Sequence, residues 1–406
     1  MATKRLCAWC GLAVLLAVGA VPIVGWAVLG GGEEPAYQTG DQQTYRGEII
    51  PLPGERFWVG ERAYYAGDGT AIFVYASGGT PGHLSDDLAG GCWMMDLANG
   101  TETLIHNNYN GDLWWGASLC QLGGLPSPDG QYLAALEQCY SEAARSIERD
   151  DPDEGQRLRD AFQSYRWVLI EVTTGEYTVL MDLTEEYNSP QAVWTPRGYV
   201  WLDSERLAFV REAPDPDGTA VYTLGVGSGQ IDEVIVEPPG SYVAHLRRVS
   251  DGKILYYLQS AEAVTAIQEY MDGTALEHRD PAVVKELLNA ETSLKLVDLR
   301  GEEPVVSTLD FGTAEVDLRD GELSPNERFY AFRTAVRGTE ETRCCLAIAA
   351  VGSEQVELLE NEISNLCEWH PDGDKVLVVL EPEYPADRPG VLAEIWVADV
   401  CEALSQ

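Results

Sequence analysis

Apolar residues in this chain come in short runs separated by breaks rich in Gly, Pro and Asp, and only one run, near the start, is long. Pro126-Ser127-Pro128-Asp129-Gly130-Gln131, followed by Tyr132-Leu133-Ala134-Ala135-Leu136, shows the unit. Pro128 presets φ for one turn position, Asp129 can bond its own backbone, and Gly130 accepts a positive φ at no steric cost. The apolar run behind the turn is too short for a helix and predicts a buried strand. Versions of the device recur at 65–74, 201–210, 249–256, 323–332 and 369–378, at spacings of roughly 45 to 75 residues. That is the scale of a four-stranded propeller blade with variable loops.

Each copy is followed by a second hairpin pattern, as in 167–180 and 294–306, where alternating apolar residues flank a Gly-containing turn. Two hairpins make one four-stranded blade, so the copies predict six blades. No clear fourth strand follows Trp396 in the last blade, and the segment 45–50 is the candidate to supply it. Such a closure leaves no open sheet edge at the seam.

The turn, with a Trp or small residue before Ser/His-Pro-Asp-Gly and Leu-Ala-Phe after it, resembles the TolB-like, WD-repeat-like β-propeller family of bacteria over about residues 45–400. The resemblance implies an all-β, six-bladed β-propeller. It says little of activity, because that architecture serves scaffolds, binding proteins and the non-catalytic domains of peptidases alike. A sandwich-rich β protein with ordinary Asp-Gly turns is the competing fold.

The long apolar run spans 6–29, preceded by Lys4-Arg5 and flanked by Trp9 and Trp26. It is long enough to cross a bilayer as a helix, and the basic side stays in the cytoplasm. Two readings stand for residues 1–30: an N-terminal transmembrane anchor, or a signal peptide with small residues at Val18-Gly19-Ala20. The first predicts a single-pass protein of the cell membrane with its C-terminal domain extracytoplasmic, the second a secreted or periplasmic one. Residues 31–44 read as a flexible tether, and 45–402 as a single propeller domain. Helical insertions are expected near 141–165 and 260–290.

Connections alternate between the two faces of an up-and-down blade. The Pro-Asp-Gly turns share one face, and the loops joining second to third strands share the other. That second face collects Asp86, Asp87, Asp151, Asp153, Asp215, Asp217 and Asp387. Long loops on a rigid ring are where binding surfaces are built, so these residues are candidates for an acidic recognition face. Solvated acidic loops with no partner are the alternative.

Charge narrows the partners. With 27 basic and 66 acidic residues the formal charge is −39, which disfavours nucleic acid, since phosphate needs a basic patch. Cationic partners, metal ions or plain solubility remain. Of nine Cys, Cys120 and Cys139 flank the Asp129-Gly130 turn symmetrically and would face each other in an unbroken hairpin, at a disulfide's reach. His370 replaces Ser in the last turn and reads as a turn residue rather than a metal ligand. Gly225-Val226-Gly227-Ser228-Gly229 lies between two strand-like runs and reads as a hairpin turn, not a phosphate cradle. Calcium is a candidate on the composition of 150–155 and 215–218, although neither has a full ligand register, and His83 and His106 could converge with Asp86 or Asp112 on a metal. No cofactor and no catalytic residue is expected.

The sequence therefore predicts a non-enzymatic, membrane-anchored extracytoplasmic β-propeller that binds another protein, an envelope component or a ligand as a scaffold. The alternative is a metal-assisted hydrolase or lactonase-type propeller with an acidic channel mouth. A sensor domain is a third reading, weakened by so short a cytoplasmic part.

Overall fold

Six hairpins built on the Ser-Pro-Asp-Gly device carry the first two strands of every four-stranded unit. The computed structural model describes residues 47–50, 63–76, 91–107, 125–141, 156–157, 160, 162–187, 198–212, 219–274, 283, 287, 292–312, 316–318, 321–337, 342–380 and 391–396. Strand β1 (Gly47–Ile50) comes first. The first sheet is β2 (Ala63–Ala66), β3 (Ala71–Ala76), β4 (Gly91–Asp96) and β5 (Glu102–Asn107). The second is β6 (Leu125–Pro126), β7 (Tyr132–Tyr140), β8 (Phe162–Glu171) and β9 (Tyr177–Asp182), followed by the short helix α1 (Thr184–Tyr187). The third is β10 (Tyr199–Trp201), β11 (Arg206–Glu212), β12 (Thr219–Gly225) and β13 (Ile231–Val236). The fourth is β14 (Tyr242–Ser250), β15 (Lys253–Gln259), β16 (Thr292–Asp298) and β17 (Val305–Thr308), with helix α2 (Ala261–Gly273) between β15 and β16. The fifth has seven strands: β18 (Gly321–Leu323), β19 (Phe329–Arg337), β20 (Thr342–Ala350), β21 (Val356–Trp369), β22 (Lys375–Leu380), β23 (Val391–Trp396) and β1.

All pairings are antiparallel between sequence neighbours except one, β1 against β23, with Gly47 opposite Ile395 and Ile50 opposite Leu392. The N-terminal strand thus completes the last sheet, where the sequence placed it. The innermost strands β2, β6, β10, β14, β18 and β21 touch in succession, and β21 touches β2, so the sheets close into a β-propeller.

The count of separate sheets corrects the sequence reading: there are five, not six. The reason lies in β21, a strand of 14 residues. Its early residues pair with β20 (Val356 with Ala349, Leu359 with Leu346), while its late ones pair with β22 (Ile363 with Leu380, Trp369 with Val376). The run Leu359-Glu360-Asn361-Glu362-Ile363 contains no Gly or Pro to break it, so the chain crosses from one four-strand set to the next without leaving the extended state.

The core lies between neighbouring sheets, in clusters that join one sheet's face to the next. One packs Trp167, Tyr199, Trp201, Leu207, Phe209 and Leu224 between the second and third sheets. Trp167 is fully buried, with its ring edge-on to Tyr199 at 5.1 Å and to Phe209 at 5.2 Å. Within α2, Ser260 caps the N-terminus by accepting from Ala263 N at 3.1 Å. Gly225–Gln230 forms the hairpin turn between β12 and β13, as its flanking strands imply.

The expected anchor at 1–30 and tether at 31–44 lie outside the described residues, as does most of the expected insertion after Thr274. Among the described residues no helix is long and apolar enough to cross a membrane.

Candidate functional site

The turns set the mouth of the axial bore. In the second sheet Ser127 Oγ donates to Asp129 Oδ1 at 2.5 Å and accepts from Tyr132 N at 3.0 Å. Ser324 repeats both bonds, to Asn326 Oδ1 at 2.8 Å and from Phe329 N at 3.0 Å. Each serine is essentially buried, which is why the hydroxyl must find partners inside its own turn. Adjacent turns then pack edge to edge. A Cβ on Gly69, whose φ is +82°, would sit 2.1 Å from His370 Nε2, so only glycine lets these two turns approach.

The bore itself has a volume of about 640 Å³ and is lined from all six inner strands. One residue before the buried turn position, Trp201 and Trp369 play the same part. The indole of Trp201 donates to Leu125 O at 2.7 Å, and that of Trp369 to Glu322 O at 2.8 Å, each reaching the preceding inner strand. Tyr199 Oη donates to Ala134 O at 3.1 Å in the same direction.

Among these apolar anchors the inner strands carry Arg247, Arg248, Glu322 and Glu368, and the turns and loops add Asp129, Asp251 and Arg300. Arg247 Nε lies 2.7 Å from Glu322 Oε1, an ion pair between two largely buried side chains. Arg247 Nη1 also donates to Leu246 O at 3.2 Å. Arg248 Nη2 donates to Asp251 Oδ1 at 2.7 Å. Glu368 Oε2 accepts the backbone N–H of Tyr65 at 2.7 Å, a bond that ties β21 to β2 across the closure of the ring. Glu368 borders the bore, yet protein surrounds it closely. Burial pushes its carboxyl up to about 7, against the Tyr65 bond and the Arg248 charge, which favour ionisation.

Strand β14 delivers the two arginines through a bulge. Its register against β15 slips between Ala244 and Arg247, and His245 takes φ +52° there. A bulge turns successive side chains away from strict alternation, which lets the consecutive residues 247 and 248 both line the bore.

His370, Asp372 and Asp374 bring potential metal donors within 4.8 Å of one another. Nδ1 accepts from Asp372 N at 3.2 Å and lies 3.5 Å from Asp372 Oδ2 and 3.8 Å from Asp374 Oδ1, while the Nε2 edge of the ring faces Gly69. The ring also stands edge-on to Tyr65 at 5.0 Å. These contacts make His370 a turn residue.

The acidic candidates Asp86, Asp87, Asp151, Asp153, Asp215, Asp217 and Asp387 lie outside the described residues, and so do the two calcium-like stretches. The strand order places each of their segments in a connection between the second and third strands of a set. Cys120 is also outside, and its pairing with Cys139 with it. Cys139 itself is a half-buried free thiol whose pKa burial raises. The register Leu125 to Ala134 and Pro126 to Leu133 is centred between 129 and 130, the symmetry on which that pairing rests.

Sequence reasoning missed Arg247, Arg248, Glu322 and Glu368. A signal was present: Arg248, Glu322 and Glu368 each stand two residues before the turn's Ser or His, where the second sheet has Leu125. A charged residue at a place otherwise apolar marks a strand that faces something other than a core.

No family model matches the sequence, and no curated protein matches it. Solved structures share the fold at low similarity. An oligogalacturonate lyase in complex with manganese is 12% identical, with a TM-score of 0.44 over 82% of this chain and 76% of that one. A putative TolB from Agrobacterium tumefaciens is 12% identical, with a TM-score of 0.42 over 84% and 90%. The TolB of Acinetobacter baumannii is 15% identical, with a TM-score of 0.38 over 74% of this chain and 55% of that one. At these values no statement about activity passes from them to this chain.

Proposed function

We propose that this chain is a non-enzymatic binding scaffold: a propeller working as six blades, held at the membrane by its N-terminal apolar run, with its ring outside the cytoplasm. Six inner strands and six turns surround the bore, which supports counting the two arms of the seven-stranded sheet as separate blades. The acidic loops between second and third strands then form a recognition face for a protein or envelope component.

One observation carries the reading. Each charged side chain of the inner strands spends at least one atom on the ring's own structure: Arg247 with Glu322, Arg248 with Asp251, Glu368 with the Tyr65 backbone. Anchored in this way they are held in place to bind, and the Arg247–Glu322 and Glu368–Tyr65 contacts also join different blades. The metal-assisted hydrolase alternative would draw on His370, Asp372 and Asp374, and the bond from Asp372 N to His370 Nδ1 stands against it.

The test is cross-linking of the full chain in native membranes, with the partner identified and then mixed with the purified protein. Direct binding that is lost when Asp151, Asp153, Asp215 and Asp217 are changed to Asn supports the scaffold. A tightly bound divalent ion together with lactone or ester turnover that fails in His370→Ala would replace it with the hydrolase.

A further inference from the structure

Balanced charge inside the bore contrasts with the chain's formal −39. Arg247, Arg248 and Arg300 line the cavity with Glu322, Glu368, Asp251 and Asp129. Two of these groups are only half used. Arg248 spends Nη2 on Asp251, while its Nε is buried without a partner and Nη1 has none among the described residues. Glu368 spends Oε2 on Tyr65 N, and Oε1 has no donor among the described residues. The Arg248 charge acts on Glu368, yet no hydrogen bond joins them. Aromatic rings of Tyr64, Tyr65, Tyr199, Trp201 and Trp369 complete the wall. A volume of about 640 Å³ lies within the range of small-molecule sites.

We propose that the bore binds a small zwitterion, a free amino acid or short peptide, whose carboxylate meets Arg248 Nη1 and whose ammonium meets Glu368 Oε1. This rests on the binding reading above and names its ligand. A simple anion would face Glu322 and Glu368, and a simple cation would face Arg247 and Arg248. A molecule carrying both charges leaves neither set opposed. Guanidinium–carboxylate bonding is strong and directional, and ammonium groups sit well against aromatic faces.

Occupancy has a protonation signature. Glu368 titrates near neutrality, and a bound ammonium favours its ionised form, so binding releases a proton and tightens as pH rises through about 7. The other charged or titratable groups around it are Arg247 and Arg248 on β14, Glu322 on β18, Tyr65 on β2, His370 in the next turn, and Asp129, Asp251 and Arg300 at the mouth.

Titration calorimetry on the full chain, with the free amino acids and a panel of di- and tripeptides, tests the site. At least one compound should bind, and acetylating its amine or amidating its carboxylate should weaken it by about tenfold or more. Glu368→Gln should abolish the proton release seen on changing buffer, and Arg248→Met should weaken the ligand similarly, both variants keeping the wild-type circular dichroism spectrum. Should either variant unfold, Glu368→Asp and Arg248→Lys replace it, with the same weakening expected. Absence of binding across the panel, equal affinity for capped forms, or folded variants that bind like wild type would overturn the proposal. If the cross-linked partner survives such a failure, the scaffold reading stands and only the bore ligand is lost.

Discussion

Two junctions of the ring do the same work with different chemistry. Between the second and third sheets, Trp201 and Tyr199 donate to backbone carbonyls, and Trp167, Tyr199 and Phe209 pack edge to face. Burial pushes the titratable group there, Tyr199, further above its ordinary range. Between β21 and the first sheet, where the chain's two ends meet, a carboxylate accepts the Tyr65 N–H and a histidine ring lies against Tyr65 and Gly69. The neutral junction is a permanent weld. The closing one is conditional on protonation and on the absence of a single methyl group.

Breaking the neutral junction should cost most. Trp201→Ala removes a side chain that is 2% exposed together with its bond to Leu125 O, and a loss of about 3 to 5 kcal/mol is expected in urea unfolding. A loss under about 1 kcal/mol would mean that the third sheet holds without it. Gly69→Ala comes next, at about 2 to 3 kcal/mol, because its methyl meets His370 and φ +82° strains any other residue. A melting temperature unchanged in that variant would show the turns free to part.

The contrast sharpens with pH. Glu368 is raised from 4.5 to about 7 in the folded state, so the folded chain binds the proton more tightly than the unfolded one. Its favourable contribution is complete below pH 4.5 and is lost as pH rises to about 7. Glu368→Gln should flatten that slope and, at pH 8, leave the variant about 1 to 2 kcal/mol more stable than wild type, allowing for the solvent that reaches the bore. A slope that persists in the variant would assign it to another group. Smallest of all, Val305→Thr on β17, 65% exposed, should change stability by less than about 0.5 kcal/mol. A larger loss would show that the outer strands matter as much as the inner ones.

What was legible in the sequence was local. Ser127-Pro128-Asp129-Gly130 and its copies specify their own turns within a few residues, so these hairpins were readable, and the last blade's want of a fourth strand pointed to 45–50. Glu322 and Arg247, 75 positions apart by subtraction of their numbers, meet only because the ring brings β14 beside β18. No local pattern encodes that meeting. The fused sheet escaped for the opposite reason: 359–363 carries no break to announce a boundary, and turn chemistry marks only the hairpins within each set of four strands.

Strand β1 has a mechanical consequence. It is the outermost strand of its sheet, paired on one side with β23, so Gly47 sits at the circumference rather than at the centre. Force applied at Gly47 loads the four-residue β1 before any other strand, as a handle loads the edge of a door.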